Sequence, residues 1–305
     1  MWGIIINPRS GKKALRMQRK YLFKTLRTEK IPFIYQVTAY AGHATEIAYD
    51  YIKHDIKHIL ILGGDGTISE VVNGIFQATS DASDITIAII PRGTGNDWGR
   101  YWGLTKDYKA SIDAFLKGKC QQIDIGRITY QRNKINHTHF FINSVGIGLD
   151  CKVVTLTHTL KYYFGSHALL YFVSLIAAVC TFKSKRIKLI ADNQDICNDK
   201  ILTMNIGNGC YSGGGMKQNP DAKPTDGIFH GMYVGKITFM DVLHAIPRLF
   251  NGGLSALPFV HNIEAKKIQI ETAKYIPFEA DGIVIDACGP YTIDVLHNAL
   301  KMLIP

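Results

Sequence analysis

Ile59-Leu60-Ile61-Leu62-Gly63-Gly64-Asp65-Gly66-Thr67 passes from four consecutive large aliphatics into three glycines gathered around one aspartate. Four aliphatics without polar alternation predict a strand covered on both faces, as in a parallel sheet. Gly63, Gly64 and Gly66 allow positive φ and carry no Cβ to hold a ligand off the backbone. Asp65 sets a carboxylate among them. Thr67 opens a helical pattern through Ile68, Val71, Val72 and Ile75, expected to end near Gly74. Strand, glycine loop and helix N-terminus in that order suit a phosphate, because free N–H groups and the helix dipole both favour an anion. A plain tight turn between strand and helix satisfies the same residues, so this loop alone does not decide the ligand.

Its neighbours repeat the pattern. Gly3 to Ile6 reads as a strand entering Asn7-Pro8-Arg9-Ser10-Gly11-Lys12. This is no Walker A loop, since Ile6 stands where that motif needs its first glycine. Ala14 to Thr28 reads as a basic amphipathic helix with Leu15, Tyr21, Leu22 and Leu26 inward and its Lys and Arg solvated. Phe33 to Thr38 is a second strand, with Thr38 at its carboxyl end. A helix then runs from Gly42-His43-Ala44 through Ile52, and His43 is expected to hydrogen-bond at its start. Thr86 to Ile90 is a fourth strand, leading into Pro91-Arg92-Gly93-Thr94-Gly95-Asn96-Asp97. Repeated strand–loop–helix units predict a right-handed parallel α/β sheet whose ligand loops gather at the carboxyl ends of the strands. Three such loops converging there predict a nucleotide phosphate site. Asp65 and Asp97 are the carboxylates available to hold a metal or orient a hydroxyl. A helix N-cap is the simpler role for Asp97 and is compatible with the first.

The 305 residues are 47% hydrophobic, long for one core and suited to two domains. A net charge of +10 and a pI near 9.2 favour polyanionic partners or simply a basic solvated surface. The basic clusters, Arg16-Arg19-Lys20-Lys24-Arg27 and Lys183-Lys185-Arg186-Lys188, come with no recognition helix or RNA-binding signature, which argues against nucleic acid. The six cysteines include no CxxC pair, so neither a zinc site nor a disulfide framework is expected; buried free thiols in a reducing cytoplasm are. The N-terminus shows no charged leader. The apolar run Leu169 to Phe182 is short of the roughly 20 residues of a membrane span.

From Gln121 the texture changes to alternating strands with turn signals: Ile123 to Tyr130, a turn at Gln131 to Asn136, His139 to Asn143, Arg186 to Ala191 with a turn at Asp192-Asn193, Ile201 to Ile206, Phe229 to Val234 and Ile268 to Thr272. This predicts antiparallel β structure in a sandwich. Helices are expected at Ala168 to Thr181 and at Met240 to Phe250, where Pro247 should end or kink the second. The domains are drawn as 1–120 and 121–290, with 291–305 packing back on the first. The Gly213-Gly214-Gly215 triplet permits a close approach of chain or ligand. Asp226-Gly227 is a tight turn, or a carboxylate with nearby carbonyls around a hard cation.

Taken in order, these segments resemble the diacylglycerol kinase catalytic-domain family, in particular its bacterial soluble lipid kinases. The matching pieces are Asn7-Pro8-x-Ser10-Gly11, Thr38 ahead of Gly42-His43-Ala44, Gly63 to Thr67 with Glu70 and Asn73-Gly74, Gly93 to Asp97, Asn143 to Asp150, the Gly213 triplet, and Ala222 to Gly227. Gly-Gly-Asp-Gly-Thr is shared with NAD kinases and phosphofructokinase-like enzymes; the later motifs select the lipid branch. The resemblance implies an α/β N-terminal domain (parallel sheet, three-layer, NAD-kinase/phosphofructokinase-like) and an all-β sandwich-like C-terminal domain, with ATP in a cleft between them. It implies that Asn7, Pro8, Ser10, Gly11, Thr38, Gly63, Gly64, Asp65, Gly66, Thr67, Gly93, Thr94, Gly95 and Asn96 line the ATP site. Asp65 and Asp97 would act with Mg²⁺ near the transferring phosphate, and a structural Mg²⁺ would sit at Asp226 with the carbonyls of Lys223 and Ile228. It further implies a diacylglycerol-like lipid substrate at a membrane surface, and a cytoplasmic location or peripheral contact with the inner face of the membrane. A homodimer is an allowed assembly.

One position departs from that family. Its general base is a Glu directly after an Asp-Gly pair, and here Ile283 follows Asp281-Gly282. Isoleucine accepts no proton. On a regular strand Glu279 would lie about 13 Å from Ile283, so it replaces the base only where the chain bends; Asp65 is another candidate. A nucleotide- or lipid-binding protein that has lost its base is therefore an alternative to the kinase, and an NAD kinase is a third.

Overall fold

The computed structural model describes residues 1–11, 15–164, 168–272 and 275–305. Lys12 of the first loop and Ala14 of the first expected helix lie outside them. The chain divides into two compact units, Met1–Asp124 with His297–Pro305, and Ile125–Leu296.

In the first unit β1 (Trp2–Ile6), β2 (Phe33–Val37), β3 (His58–Gly63) and β4 (Thr86–Pro91) are parallel, in the order β2-β1-β3-β4. Residues 297–304 of the C-terminal strand continue this sheet, with Lys301 and Met302 parallel to Thr86 and Ile87. Ile59, Leu60, Ile61 and Leu62 are all at most 1% exposed, as a strand with both faces covered requires. One face packs Ile4, Ile6, Leu60 and Leu62 against Leu22 and Leu26 of α1 (Leu15–Thr28) and against Ile112 and Phe115. Tyr21 departs from its expected place: it is exposed, with its ring edge-on to Tyr108 at 5.7 Å. The edge strand β2 leaves Ile34, Tyr35 and Val37 exposed.

Between strands lie α2 (His43–Lys53) and α3 (Asp65–Ala78). His43 does act at a helix start, its Nδ1 accepting the Ala39 N–H at 3.0 Å. Gly74 is not a helix stop. The helix runs four residues past it to Ala78, and a Cβ there would meet the Thr45 carbonyl at 2.2 Å. Its glycine is required by the close crossing of α2 and α3. Two further helices, α4 (Asp97–Tyr101) and α5 (Tyr108–Lys117), follow β4.

The second unit is largely antiparallel. It draws on β5 (Lys119–Arg132), β6 (Ile135–Phe141), β7 (Ser144–Gly148), β8 (Lys185–Ala191), β9 (Gln194–Ile201), β10 (Thr203–Gly207), β11 (Phe229–Val234), β12 (Val260–Ala265), β13 (Lys267–Glu271), β14 (Phe278–Ala280), β15 (Ile283–Ile285) and β16 (Cys288–Ile304). One sheet has the order β12-β11-β10-β7-β14-β15, and the other contains β16-β13-β8-β9. Val145, Ile147, Met204, Phe229 and Phe278 of the first share one core with Ile187, Leu189, Ile268, Ile270 and Tyr291 of the second, which makes a sandwich. Three hairpins turn on two residues with both φ positive: Asn133-Lys134, Asp192-Asn193 and Asp281-Gly282. That is the turn whose twist matches the flanking strands. The first is shorter than the turn expected at 131–136.

Among the described residues this unit has three α-helices: α6 (Leu149–Phe164), α7 (Ala168–Thr181) and α8 (Phe239–Asn251). No sequence signal had suggested α6, which starts directly after the β7 glycines. Nor does Pro247 end α8, which continues four residues beyond it. No helix among the described residues is long and apolar enough to cross a membrane. All six cysteines are free, and only Cys151 and Cys210 are buried, against the expectation of buried thiols throughout.

Candidate active site

In the first unit the loops after β1, β3 and β4 meet. Asn7 Nδ2 donates to Thr67 Oγ1 at 2.9 Å, while its Oδ1 accepts the Arg9 N–H at 2.9 Å. Arg92 Nε donates to the Ser10 carbonyl at 3.1 Å. A Cβ on Gly64 would stand 2.7 Å from Gly93 Cα, so the second and third loops touch backbone to backbone. Thr38, buried at the end of β2, donates its N–H to Ile6 at 2.9 Å. Pro8, Gly11, Gly66 and Thr94 are exposed, and Ser10, Gly93 and Gly95 are half-buried.

The glycines work by absence of bulk rather than by backbone hand. Gly63, Gly64 and Gly66 do not have positive φ, and Gly64 sits at φ −111°. A Cβ on Gly63 would collide with Thr67 at 2.6 Å, whereas Gly66 faces open space. Gly11 alone of these loop glycines has positive φ, 77°, beneath the Arg92 carbonyl.

Asp65 and Asp97 are brought together, but through the backbone. Asp65 accepts the Trp98 N–H at 3.3 Å, with further N–H groups from Asn96 and Asp97, and so caps the start of α4 from another loop. Burial pushes its carboxyl up, and those N–H groups oppose the push. Asn96 is the left-handed residue before α4, φ 51°, with Nδ2 on the Gly93 carbonyl at 2.9 Å. Asp97 opens the helix at 6% exposure, 4.0 Å from Arg100 Nε. Glu70 receives the Gly42 and Ala44 N–H groups at 2.9 and 3.2 Å, capping α2 in the same remote manner.

Two cations were missed in the sequence. Arg92 is only 8% exposed, and burial lowers its pKa. Lys106 Nζ donates to the Thr94 carbonyl at 2.9 Å. A charged residue inside a glycine loop was the available signal for Arg92.

The second unit holds a pair of carboxyls, Glu279 buried and Asp150 half-buried. The chain bends at Asp281-Gly282, so Glu279 pairs with Val284 and Ala280 with Ile283, and the extended separation of Glu279 and Ile283 does not apply. Glu279 points at Gly146 of β7, where an added Cβ would meet Glu279 Oε1 at 2.6 Å and Asp150 Oδ2 at 3.0 Å. Asp150 accepts from Thr203 Oγ1 at 3.0 Å and Asn205 Nδ2 at 3.1 Å, and Asn205 in turn accepts from Asn219 Nδ2 at 2.6 Å. Glu279 Oε2 accepts the Gly282 N–H at 2.8 Å. Burial, then the neighbouring Asp150, pushes Glu279 up to about 8, and burial pushes Asp150 up to about 6. Near neutral pH such a pair retains a proton. Asp281 is the anchor beneath it, taking the N–H groups of Ile142, Asn143 and Ser144 at 2.9, 2.9 and 3.1 Å.

Asp150 also lies in the wall of a cavity, partly open to solvent and lined mainly by aliphatic residues including Leu175, Leu202, Met232, Val242 and Leu249. The Asp226 loop is elsewhere. Asp226 Oδ1 takes the Ile228 N–H at 3.1 Å and Oδ2 lies 3.5 Å from His230 Nε2. A carboxylate with two main-chain carbonyls would be an all-oxygen donor set of the kind Mg²⁺ accepts with water, but here the Asp226 carboxylate is turned to the Ile228 N–H and to His230. No group of three His, Cys, Asp or Glu that could hold a metal occurs among the described residues.

Comparison with known proteins agrees with this architecture. Residues 1–128 match the diacylglycerol kinase catalytic domain, and residues 143–304 match the YegS C-terminal NAD kinase beta sandwich-like domain. The chain is 30% identical to a diacylglycerol kinase of Staphylococcus carnosus over 285 residues, 92% of this chain and 87% of that one. It is 29% identical to a diacylglycerol kinase of Staphylococcus saprophyticus over 284 residues, with the same coverages of 92% and 87%. Among solved structures, a diacylglycerol kinase of Bacillus anthracis is similar with TM-score 0.73 at 22% identity, covering 100% of this chain and 96% of that one. Yeast NADH kinase is similar with TM-score 0.58 at 12% identity, covering 100% and 83%; at these identities the likeness is one of fold. With both of its halves matched in order, the chain belongs to the diacylglycerol kinase catalytic-domain family, in the branch that carries the YegS-type β-sandwich.

Proposed function

We propose that this protein is an ATP- and Mg²⁺-dependent lipid kinase that phosphorylates the hydroxyl of a diacylglycerol-like lipid. The observation that carries the reading is Asp150, a half-buried carboxyl paired with the buried Glu279 and set in the wall of an apolar cavity. An amphiphile with acyl chains and one hydroxyl has the chemistry such a cavity admits. The Gly63–Thr67 loop and its neighbours take the nucleotide phosphates through backbone N–H groups, and Arg92 supplies positive charge. Asp97 and Asp65 are the carboxylates proposed for the Mg²⁺ of the nucleotide. Asp226, with the Lys223 and Ile228 carbonyls, is proposed for a structural Mg²⁺.

Glu279 is proposed to take the place of the glutamate that Ile283 replaces. When ionised it accepts the lipid hydroxyl's proton; the new oxygen–phosphorus bond forms as the bond from the γ-phosphorus to the β-bridging oxygen breaks, and ADP leaves. Phosphoryl transfer depends mostly on positioning and charge neutralisation, so a displaced base is compatible with turnover. The test is transfer of labelled γ-phosphate from ATP to diacylglycerol in mixed micelles, with and without EDTA. Incorporation that EDTA abolishes supports the kinase. ATP binding without incorporation into any glycerolipid or sphingoid lipid makes the chain a binding protein instead, and phosphorylation of NAD would make it an NAD kinase.

A further inference from the structure

The second face of α8 has no part in the chemistry above. Val242, Ala245, Ile246 and Leu249 of this helix line the apolar cavity. Met240, Leu243 and Phe250 point away from it, exposed at 58%, 43% and 56%. With Pro247, also exposed, they are spaced by three, four and three residues, which places them in one stripe of the helix. A helix apolar towards its core and also along an outward stripe is not built for water alone.

The charges beside the stripe are mostly positive. Arg248 is exposed on the next strip of the helix, and Lys236 lies just before its start. Lys217 joins the C-terminal end, its N–H donating to the Leu249 carbonyl at 2.7 Å. The helix's one acid, Asp241, is engaged at the N-terminus in a capping box with Thr238. An apolar stripe with a basic shoulder, on a chain of net charge +10, complements an anionic bilayer: apolar side chains enter the acyl boundary and cations meet the headgroups. Neutral membranes offer only the first term, and a protein partner would not require the basic shoulder.

We infer that α8 docks this protein on an anionic lipid bilayer through Met240, Leu243 and Phe250, while its inner face roofs the lipid cavity. This deepens the lipid-kinase reading and rests on it for the purpose of docking, not for its measurement. The experiment is cosedimentation of the full chain with vesicles of phosphatidylglycerol and phosphatidylcholine, and with vesicles of phosphatidylcholine alone. Wild type is expected to bind the anionic vesicles at least about tenfold more tightly. The triple variant Met240→Ser/Leu243→Ser/Phe250→Ser is expected to lose at least about tenfold of that binding, with an unchanged melting temperature. Lys236→Glu/Arg248→Glu should abolish the preference for anionic vesicles. Activity on dihexanoylglycerol below its aggregation threshold should be unchanged in the triple variant. Equal vesicle binding by wild type and triple variant overturns the inference. So does a change of elution volume on gel filtration without a change in vesicle binding, which would make the stripe an interface between copies. If no diacylglycerol is phosphorylated in any form, the kinase reading fails while the vesicle result stands or falls by itself.

Discussion

Glu279 Oε1 and Asp150 Oδ2 both lie within 3.0 Å of the point a Cβ on Gly146 would occupy. Only a glycine on β7 lets the two carboxyls converge, and their burial keeps a proton between them at neutral pH. Below the ordinary glutamate value of 4.5 this shared proton costs the fold nothing. Above it the unfolded chain releases a proton that the folded chain keeps until about pH 8, so stability falls across that window. Glu279→Gln is therefore expected to lose less stability than wild type between about pH 5 and pH 8, read as melting temperature against pH. If Glu279 is also the base, kcat/KM rises with pH towards about 8, and the glutamine variant loses about 10²–10⁴-fold in rate. A variant with full activity would remove Glu279 from the chemistry.

Two glycines separate packing from ligand approach. Gly74→Ala forces a Cβ to 2.2 Å from the Thr45 carbonyl, and is expected to cost about 3 kcal/mol or more as α2 and α3 part. Gly66→Ala meets open space in the first turn of α3. Its stability should change by less than about 1 kcal/mol, while ATP affinity falls where the phosphates need that surface. Chemical denaturation and nucleotide titration read the two effects apart; unchanged affinity in Gly66→Ala would place the phosphates elsewhere.

Arg92 ties the loop after β4 to that after β1 through Ser10 and carries a charge whose pKa burial lowers. Arg92→Met keeps most of the bulk and removes the charge. Its ATP affinity is expected to fall about tenfold, as for loss of a charge-assisted phosphate contact. A lowered melting temperature with unchanged affinity would reduce Arg92 to a loop tie.

Asp281 holds three consecutive N–H groups beneath the carboxyl pair. Asp281→Asn turns one acceptor into a donor facing a donor, with an expected cost of about 1.5–3 kcal/mol. A value near zero from urea unfolding would mean that the β14–β15 hairpin is held by its turn alone.

Ile283→Glu sets an acid directly after the Asp281-Gly282 pair. On β15 it sits opposite Ala280, one residue from Glu279. A gain of about tenfold or more in lipid phosphorylation would identify wild type as limited by proton removal; no gain would fit Glu279 already serving.

The residues alone carried the parallel sheet of the first unit, because a run such as Ile59–Leu62 has no water-facing alternative and each glycine loop punctuates it. They also carried the hairpin at Asp192-Asn193, whose two residues favour positive φ. What tertiary structure decided lies wherever a residue's partner is distant in sequence. Gly74 looked like a helix stop because nothing local shows that Thr45 crosses it. Asp65 looked like a free carboxylate because its donors come from Asn96, Asp97 and Trp98 on another loop. Glu279 looked remote from its neighbours because an extended rise of about 3.3 Å per residue holds only until the chain turns. The turn at Asp281-Gly282, fixed by three N–H groups from Ile142 to Ser144, folds that strand back and delivers Glu279 to Asp150. Local preference sets strands and turns; which carboxyls meet is set by long-range pairing that no single stretch contains.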